Sequence, residues 1–161
     1  MLRVGSGVDV HAFAEGVPLR LGGLHIPHPR GLAGHSDGDA AVHALIDALL
    51  GAASRGDIGE WFPSTDERWR GARSTEMLRH VWTALSADGW RLQNVDVTLI
   101  ASEPRLAPYR YQMRQALADA LGCSMGQMSL KATTTDGLGA LGRHEGVLAL
   151  ATVLLWREAD P

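Results

Sequence analysis

Apolar and polar residues alternate in several segments of the chain, and this period of two is typical of strands in a half-buried sheet. RVGSGVDVHAF opens the series, and PLRLGGLHIP follows as a hairpin that turns at Gly22 and Gly23. Three further strands are predicted over NVDVTLIAS, MSLKATTTD and GVLALATVLLW. The last of these is almost wholly apolar, so both of its faces need cover.

Three other segments carry apolar residues at helical spacing. The first helix is predicted from Asp37 or Asp39 to Ala53, with an aspartate as its N-cap. The second covers STEMLRHVWTALSADG, where Ser74 is the predicted cap. The third covers APYRYQMRQALADALG and ends at Gly122, a residue suited to the left-handed conformation that closes a helix.

The order of these elements predicts the fold class. Helices interleave with strands, but adjacent strands also occur, which favours a single α+β domain over residues 1–161. We expect a mixed β-sheet with helices packed on one face and oligomer formation through the other. Residues 29–36, SRGDIGEWFPSTDERWRGA and GLGALGRHEG are predicted loops, and the second is long enough to act as a lid.

Composition narrows the possible partners. The formal charge of −3 argues against a nucleic-acid binder, which needs a basic surface. No segment approaches the run of about eighteen apolar residues that a membrane helix requires. Cys123 is the only cysteine, so an intrachain disulfide is excluded and a reducing compartment is expected. We therefore expect a cytoplasmic protein with no nucleic-acid or membrane partner.

Two short spacings suggest a metal site. Asp9 and His11 are two apart in a predicted strand and point to one face, while Asp39 and His43 are four apart in a predicted helix. Asp9, His11 and His43 would form a three-ligand zinc set if strand and helix meet, with Asp39 orienting an imidazole. The alternative is structural: Asp9 caps a turn and His43 is a hydrogen-bonded core histidine.

Two further segments carry groups that suit phosphate. His35 and Ser36 precede a helix N-terminus, where free N–H groups and the helix dipole favour anions. In KATTTDGLG, threonine hydroxyls would hold phosphates and Asp136 a hard cation such as Mg²⁺. Plain helix capping and an ordinary strand end followed by a turn are the respective alternatives.

Five segments together closely resemble the family of 2-C-methyl-D-erythritol 2,4-cyclodiphosphate synthases. They are GVDVHAF, GHSDGDAAVHALIDALLGAASRGDIGEWFP, NVDVTLIA, KATTTDGLGALGR and HEG, and they span almost the whole chain. The resemblance implies conversion of 4-diphosphocytidyl-2-C-methyl-D-erythritol 2-phosphate to 2-C-methyl-D-erythritol 2,4-cyclodiphosphate with release of CMP. This is a lyase reaction of non-mevalonate isoprenoid precursor biosynthesis. The resemblance also implies a homotrimer with a site at each subunit interface.

The resemblance assigns metal ligands residue by residue. Asp9, His11 and His43 would bind one Zn²⁺ per chain. Asp136 would ligate a second cation, Mg²⁺ or Mn²⁺, that bridges the two phosphates of the substrate. Glu is usual at the position of Asp136, so the carboxylate here stands one methylene closer to the backbone.

The resemblance also assigns substrate contacts. His35 and Thr134 would stabilise the transition state. The full set of expected substrate contacts is Asp9, His11, His35, Ser36, Asp57, Gly59, Phe62, Ala101, Arg105, Leu106, Ala107, Ala132, Thr133, Thr134, Thr135, Asp136 and Arg143.

The family further implies a central cavity on the trimer axis. Val8 would line it, near Arg143 and Glu145, and an isoprenoid phosphate is the implied ligand. Two other functions compete with the synthase reaction. One is a zinc-dependent phosphoester hydrolase on the same fold, and the other is a catalytically silent trimeric module that binds cytidine nucleotides or isoprenoid phosphates.

Overall fold

A computed structural model gives the architecture, and the structure describes residues 1–158. The strands are β1 (Leu2–Glu15), β2 (Leu19–Leu21), β3 (Leu24–Ile26), β4 (Arg30–Leu32), β5 (Arg91–Ile100), β6 (Met128–Thr133) and β7 (Gly146–Trp156). The helices are α1 (Ala40–Ala53), α2 (Ile58–Trp61), α3 (Ser74–Ala87), α4 (Arg110–Leu121) and α5 (Gly139–Gly142). Short 3₁₀ turns cover Glu67–Trp69, Ala107–Tyr109 and Met125–Gln127.

Five strands form one sheet in the order β4-β1-β7-β5-β6. The β5–β6 pair is parallel and the other three pairs are antiparallel, so the sheet is mixed, as predicted. The predicted hairpin is also confirmed: β2 and β3 form a separate two-stranded sheet with Leu21 opposite Leu24. No helix in residues 1–158 is both long and apolar enough to span a membrane.

Three of the predicted loops contain short regular elements that the pattern did not reveal. Strand β4 lies within residues 29–36, because Leu32 pairs with Phe13 near the end of β1. Helix α2 lies in the predicted lid, and α5 lies in the glycine-rich loop. Each element has only three or four residues, too few to show a period.

The prediction that Ser74 caps the second long helix is wrong. Ser74 is the first residue of α3, and the N-cap position is occupied by Arg73, which makes no side-chain capping bond. The Ser74 hydroxyl donates instead to the carboxylate of Asp37. It thereby faces the predicted metal site rather than the end of its own helix.

Two glycines bring α1 close to β1. A Cβ atom at Gly5 would lie 2.0 Å from the Ala48 carbonyl oxygen, and one at Gly7 would lie 2.0 Å from that of Ala44. Such contacts are impossible, so only glycine lets the helix backbone rest on the strand at these points. The close approach carries His43, the neighbour of Ala44, to the strand that bears Asp9 and His11.

The sheet face opposite α1 carries an uncovered apolar patch on β1 and β7 in the single chain. Side chains at alternate positions of β1 belong to this face, and Val4, Val8 and Val10 are 69%, 54% and 56% exposed. On the adjacent strand β7, Leu150 lies directly opposite Val8 and is 40% exposed. An apolar face of this extent marks an interaction surface.

Candidate metal and substrate site

The predicted metal ligands meet where β1 passes the first turn of α1. Asp9 Oδ2 lies 2.8 Å from His11 Nε2 and 3.1 Å from His43 Nδ1, and the two ring nitrogens are 3.1 Å apart. Tetrahedral zinc with bonds of about 2.0–2.2 Å would hold its ligand atoms roughly 3.3 Å apart. The triangle therefore fits a small metal ion after a slight expansion, and a carboxylate with two imidazoles is a donor set that suits one.

The contacts of His11 orient its ring for metal binding. Its Nδ1 contacts the backbone carbonyl of Ala33, which can only accept a hydrogen bond, so Nδ1 carries a proton. In the neutral imidazole, Nε2 then has a free lone pair directed at the Asp9–His43 pair. A backbone carbonyl behind a ligating histidine is the usual arrangement around a bound metal.

A chain of hydrogen bonds orients His43 in the same way. Asp37 accepts from both the hydroxyl and the backbone N–H of Ser74. The Ser74 oxygen lies 2.9 Å from His43 Nε2 and, having donated its proton to Asp37, accepts from that nitrogen. His43 Nδ1 is thus left unprotonated and faces Asp9 and His11. Ser36 Oγ also lies 3.0 Å from His43 Nε2.

The prediction that Asp39 orients an imidazole is wrong. Its carboxylate is fully buried and accepts from the backbone N–H groups of Gly22 and Gly23 at 2.9 and 2.7 Å. The same carboxylate caps α1 through Val42 N at 3.2 Å, as predicted for an aspartate N-cap. Asp39 therefore joins the β2–β3 turn to the helix start, and Asp37 with Ser74 takes the orienting role.

The protonation of Asp9 and that of His11 depend on each other. Burial alone would raise the pKa of Asp9, but its contacts with the His11 and His43 rings outweigh burial and lower that pKa. Burial alone would lower the pKa of His11, but the hydrogen bond and charge of Asp9 raise it. Without metal, a proton on His11 Nε2 balances the carboxylate, so protons and metal ions compete for this nitrogen.

A cavity of about 220 Å³ opens over the triad. Ser36 and His35 border it on the side of the α1 N-terminus, and Phe62 packs its ring 4.6 Å from that of Trp69. The predicted site residues that line this cavity are Asp9, His11, His35, Ser36, His43, Gly59 and Phe62. Ile58, Ser64, Trp69 and Met77 also line the cavity and make its wall partly apolar.

A second cavity of about 450 Å³ lies at the carboxyl ends of the parallel strands β5 and β6. The predicted site residues that line it are Ala101, Arg105, Leu106, Ala107, Ala132, Thr133 and Thr134. Ser102 and Pro104, which lie in the same stretch of chain, and Arg110 also belong to its wall. The structure thus divides most of the predicted contacts between two cavities.

Four predicted contacts line neither of these two cavities. Asp57 caps α2 by accepting from Glu60 N at 3.0 Å. Asp136 has a left-handed backbone conformation, with φ of 51°, and accepts weakly from the Thr134 hydroxyl at 3.4 Å. The Thr135 hydroxyl donates to the Leu138 carbonyl at 2.6 Å, and the other residue of this set is Arg143, paired with Glu145 at 2.7 Å.

Sequence reasoning missed the residues that support the ligands. The local pattern indicates Asp37 only as a possible helix start and Ser74 only as a cap. Asp47, one turn after His43 on α1, accepts from Ile58 N at 2.8 Å and so holds α2 beside the metal cavity. The helical spacing of Asp47 from His43 was a usable signal, whereas the Asp37–Ser74 contact spans 37 positions and has no local signature.

The chain is similar to proteins of one family over almost its whole length. The YgbB family model matches residues 2–156. A curated 2-C-methyl-D-erythritol 2,4-cyclodiphosphate synthase from Cronobacter sakazakii is 53% identical over 156 residues, which are 97% of this chain and 98% of the relative.

Solved structures also match the fold of this chain. A CDP-bound form of a 2C-methyl-D-erythritol-2,4-cyclodiphosphate synthase gives a TM-score of 0.88 at 44% identity, over 96% of this chain and all of that one. The bifunctional IspDF from Campylobacter jejuni gives a TM-score of 0.94 at 40% identity. That comparison covers 98% of this chain and 43% of the longer bifunctional chain.

Proposed function

Because the chain belongs to the YgbB family, we propose that it acts as its relatives are named, as a 2-C-methyl-D-erythritol 2,4-cyclodiphosphate synthase. It converts 4-diphosphocytidyl-2-C-methyl-D-erythritol 2-phosphate to the cyclic diphosphate with release of CMP, in isoprenoid precursor biosynthesis. The enzyme is a lyase acting on phosphorus–oxygen bonds. The observation that carries this function is the preformed Asp9–His11–His43 triad within a chain 53% identical to a named synthase.

We propose Zn²⁺ as the ion held by Asp9, His11 and His43, because one carboxylate and two imidazoles favour it. When bound, the ion would neutralise phosphate charge and polarise a phosphoryl oxygen. We assign a second cation, Mg²⁺ or Mn²⁺, to Asp136. Its exposed carboxylate, held on a turn beside Thr134, would need phosphate oxygens to complete a coordination shell.

The cyclisation mainly requires that the substrate is oriented and that the charge of its phosphates is neutralised. The 2-phosphate of the substrate attacks its β-phosphate, the bond to the CMP phosphate breaks, and CMP leaves with the electron pair. Because nucleophile and electrophile belong to one molecule, the residues need to hold a bent conformation. His35 and Ser36 line the metal cavity and Thr134 lines the second cavity, and we propose that they donate hydrogen bonds to phosphate oxygens.

The two cavities lie too far apart in one chain to share a phosphate. His11 is opposite Val147 on β7, the next residue Leu148 is opposite Ile100 on β5, and Ile100 is opposite Thr133 on β6. Three strand spacings of about 4.8 Å separate His11 from Thr133 by roughly 14 Å. We therefore propose that the metal half of each site meets the nucleotide half of a neighbouring subunit.

We propose a homotrimer assembled through the uncovered sheet face. The exposed valines of β1 and Leu150 of β7 supply an apolar surface without cover in the single chain. In a closed ring each chain gives one half-site to each neighbour. The cavity enclosed on the axis, near Val8, Arg143 and Glu145, is proposed to accept an isoprenoid phosphate.

Two further proposals concern the cavity that binds the nucleotide end of the substrate and the cell compartment of the enzyme. The cavity bordered by residues 101–107 and 132–134 is proposed to bind the cytidine diphosphate group, since a CDP-bound relative shares the fold at 44% identity. We place the enzyme in the cytoplasm, where the single free thiol of Cys123 stays reduced.

Phosphorus NMR of purified protein with the authentic substrate tests the function. The synthase should yield one cyclic diphosphate and CMP, and a chelator should abolish turnover until Zn²⁺ and Mg²⁺ are restored. Open-chain phosphates would indicate the hydrolase, a function that the synthase relatives do not support. Binding of CDP without any CMP release from substrate would overturn the enzymatic function.

A further inference from the structure

The loop that borders the nucleotide cavity is tied down at three successive residues. Ala101 N donates to the Thr133 carbonyl at 3.1 Å, which continues the β5–β6 pairing by one step. The Ser102 hydroxyl donates to the Leu141 carbonyl of α5 at 2.7 Å. Glu103 follows, and its carboxylate contacts residues that are distant in sequence. Pro104 to Ala107, directly after these anchors, line the cavity.

The Glu103 carboxylate is the centre of a cluster of cationic and imidazole groups. Arg30 Nη2 lies 2.5 Å from Oε1, His28 Nε2 lies 3.6 Å from the same oxygen, and His144 Nδ1 lies 3.1 Å from Oε2. Arg30 also donates to the His144 carbonyl at 3.1 Å. We call His28, Arg30, Glu103 and His144 the Glu103 cluster. It joins the nucleotide loop to β4 and to the turn before β7.

Contacts that do not involve Glu103 hold the cationic side of the cluster in place. The Arg30 guanidinium lies over the Phe13 ring, 4.7 Å from its centroid. The His28 ring packs 5.3 Å from that of Phe13, and its Nδ1 lies 2.8 Å from the Arg30 carbonyl. The hydrogen bond from Arg30 lowers the pKa of Glu103, so the carboxylate is ionised at neutral pH.

We propose that Glu103 is a positioning residue for the nucleotide end of the substrate. Its cluster fixes the backbone at residue 103 so that residues 104–107 keep the conformation that forms the cavity wall. A loop ordered in advance does not lose conformational freedom when the ligand binds, and affinity rises accordingly. The inference rests on the proposed function, because the ligand of this cavity is taken to be a cytidine diphosphate group.

Glu103→Gln tests this in the intact protein, since it keeps the side-chain size and removes the charge. The KM for substrate and the Kd for CDP should rise about fivefold, the effect of losing one partly exposed ion pair, while kcat changes less than twofold. Asp88→Asn is the matched control, because Asp88 pairs with Arg55 at similar exposure, 36% against 33% for Glu103. The control should leave KM and Kd unchanged.

A double-mutant cycle with Arg30→Gln separates positioning from general destabilisation. If both residues act through one contact, the double variant should bind CDP no more weakly than the weaker single variant. If the losses of CDP affinity in the two single variants multiply in the double variant, the proposal is overturned. It is also overturned if Glu103→Gln binds CDP as tightly as wild type. His144→Asn gives a second variant, because Asn tolerates the left-handed backbone that His144 adopts at φ 61°.

Hydrogen exchange without ligand keeps the test independent of the reaction. In Glu103→Gln, the amides of residues 101–107 should exchange faster, while those of α1 remain unchanged. If these amides exchange faster in Glu103→Gln but the wild type does not bind CDP, the proposed ligand is overturned and the positioning role remains. Unchanged exchange beside normal wild-type CDP binding would overturn the positioning role and leave the function.

Discussion

At the scale of single residues, the metal centre consists of three candidate ligands and the side chains that orient them. Asp9 and His11 share a strand face, and His43 lies in the first turn of a strongly patterned helix, so local periods place all three. The Asp37–Ser74–His43 chain depends on how a loop meets the start of α3. Such a contact follows from tertiary packing, which single-sequence patterns do not encode.

Ser74→Ala should weaken zinc binding about 10- to 100-fold, because His43 then loses the acceptor that fixes its protonation and ring orientation. Competition with a zinc chelator measures this affinity without reference to turnover. Ser86→Ala, near the other end of the same helix, is the control and should bind zinc as wild type does. Equal zinc affinity in Ser74→Ala and wild type would remove Ser74 from the metal centre.

Stability should depend on pH in opposite ways with and without metal. The pKa of His11 is raised above its unfolded value of 6.5, so its contribution to the metal-free fold is complete below that pH. This contribution is lost as pH rises through the raised pKa. The pKa of Asp9 is lowered, so its contribution is full above about pH 3.8 and is lost as pH falls.

As pH rises above about 6.5, Tm of the chelator-treated protein should therefore contain a falling His11 component. Tm of the zinc-loaded protein should rise over the same interval, because the ion binds where the proton leaves. Thermal melts of both forms measure the difference, and Asp9→Asn should lose the falling component. Parallel pH profiles in the two forms would show that His11 does not exchange a proton for metal.

At the scale of elements, hydrophobic periodicity predicts the long strands and helices, whereas the short elements and the packing of α1 depend on tertiary contacts. β1, β5, β7, α1 and α4 follow their predicted segments because each spans several periods of its pattern. β4 exists only through pairing with β1. The approach of α1 to β1 depends on Gly5 and Gly7, and the need for glycine there arises only from the contact between strand and helix.

Gly7→Ala should push α1 away from β1, because its Cβ would lie 2.0 Å from the Ala44 carbonyl oxygen. We expect a loss of unfolding free energy of about 2 kcal/mol or more and weaker zinc binding. Gly51→Ala on the same helix is the control. Its Cβ would approach only Ser6 O, at 3.9 Å, so the change should stabilise the helix by about 0.5–1 kcal/mol. A Gly7→Ala protein with wild-type stability and zinc affinity would contradict this account of the helix position.

At the scale of the whole molecule, the apolar pattern of the last strand by itself predicts a sheet face that needs a partner. The structure places Val8 and Leu150 opposite each other on that face, both exposed. The packing of subunits on this face could not be predicted from hydrophobic periodicity, because contacts between chains produce no repeating pattern in the sequence. The exposure of this apolar patch and the separation of the two cavities are the two observations behind the proposed shared site.

Val8→Asp should prevent or weaken assembly, because a carboxylate buried at an apolar interface loses its hydration without a partner. Light scattering after size exclusion should show smaller species than for the wild type, for which we propose a trimer. Val17→Asp is the matched control, since Val17 is 41% exposed but lies outside the strands. A Val8→Asp protein that assembles like wild type would exclude this face from the interface.

The central claim is that each site joins the metal half of one chain to the nucleotide half of the next, and mixed trimers test it most directly. Asp9→Ala and Asp136→Ala proteins should each be nearly inactive. Unfolded together in equal amounts and refolded, they should form mixed rings in which about one site in four combines an intact Asp9 with a neighbour's intact Asp136. Activity should then recover to about a quarter of wild type. Mixed trimers, confirmed by mass, that stay as inactive as the separate variants would show that both halves belong to the same chain.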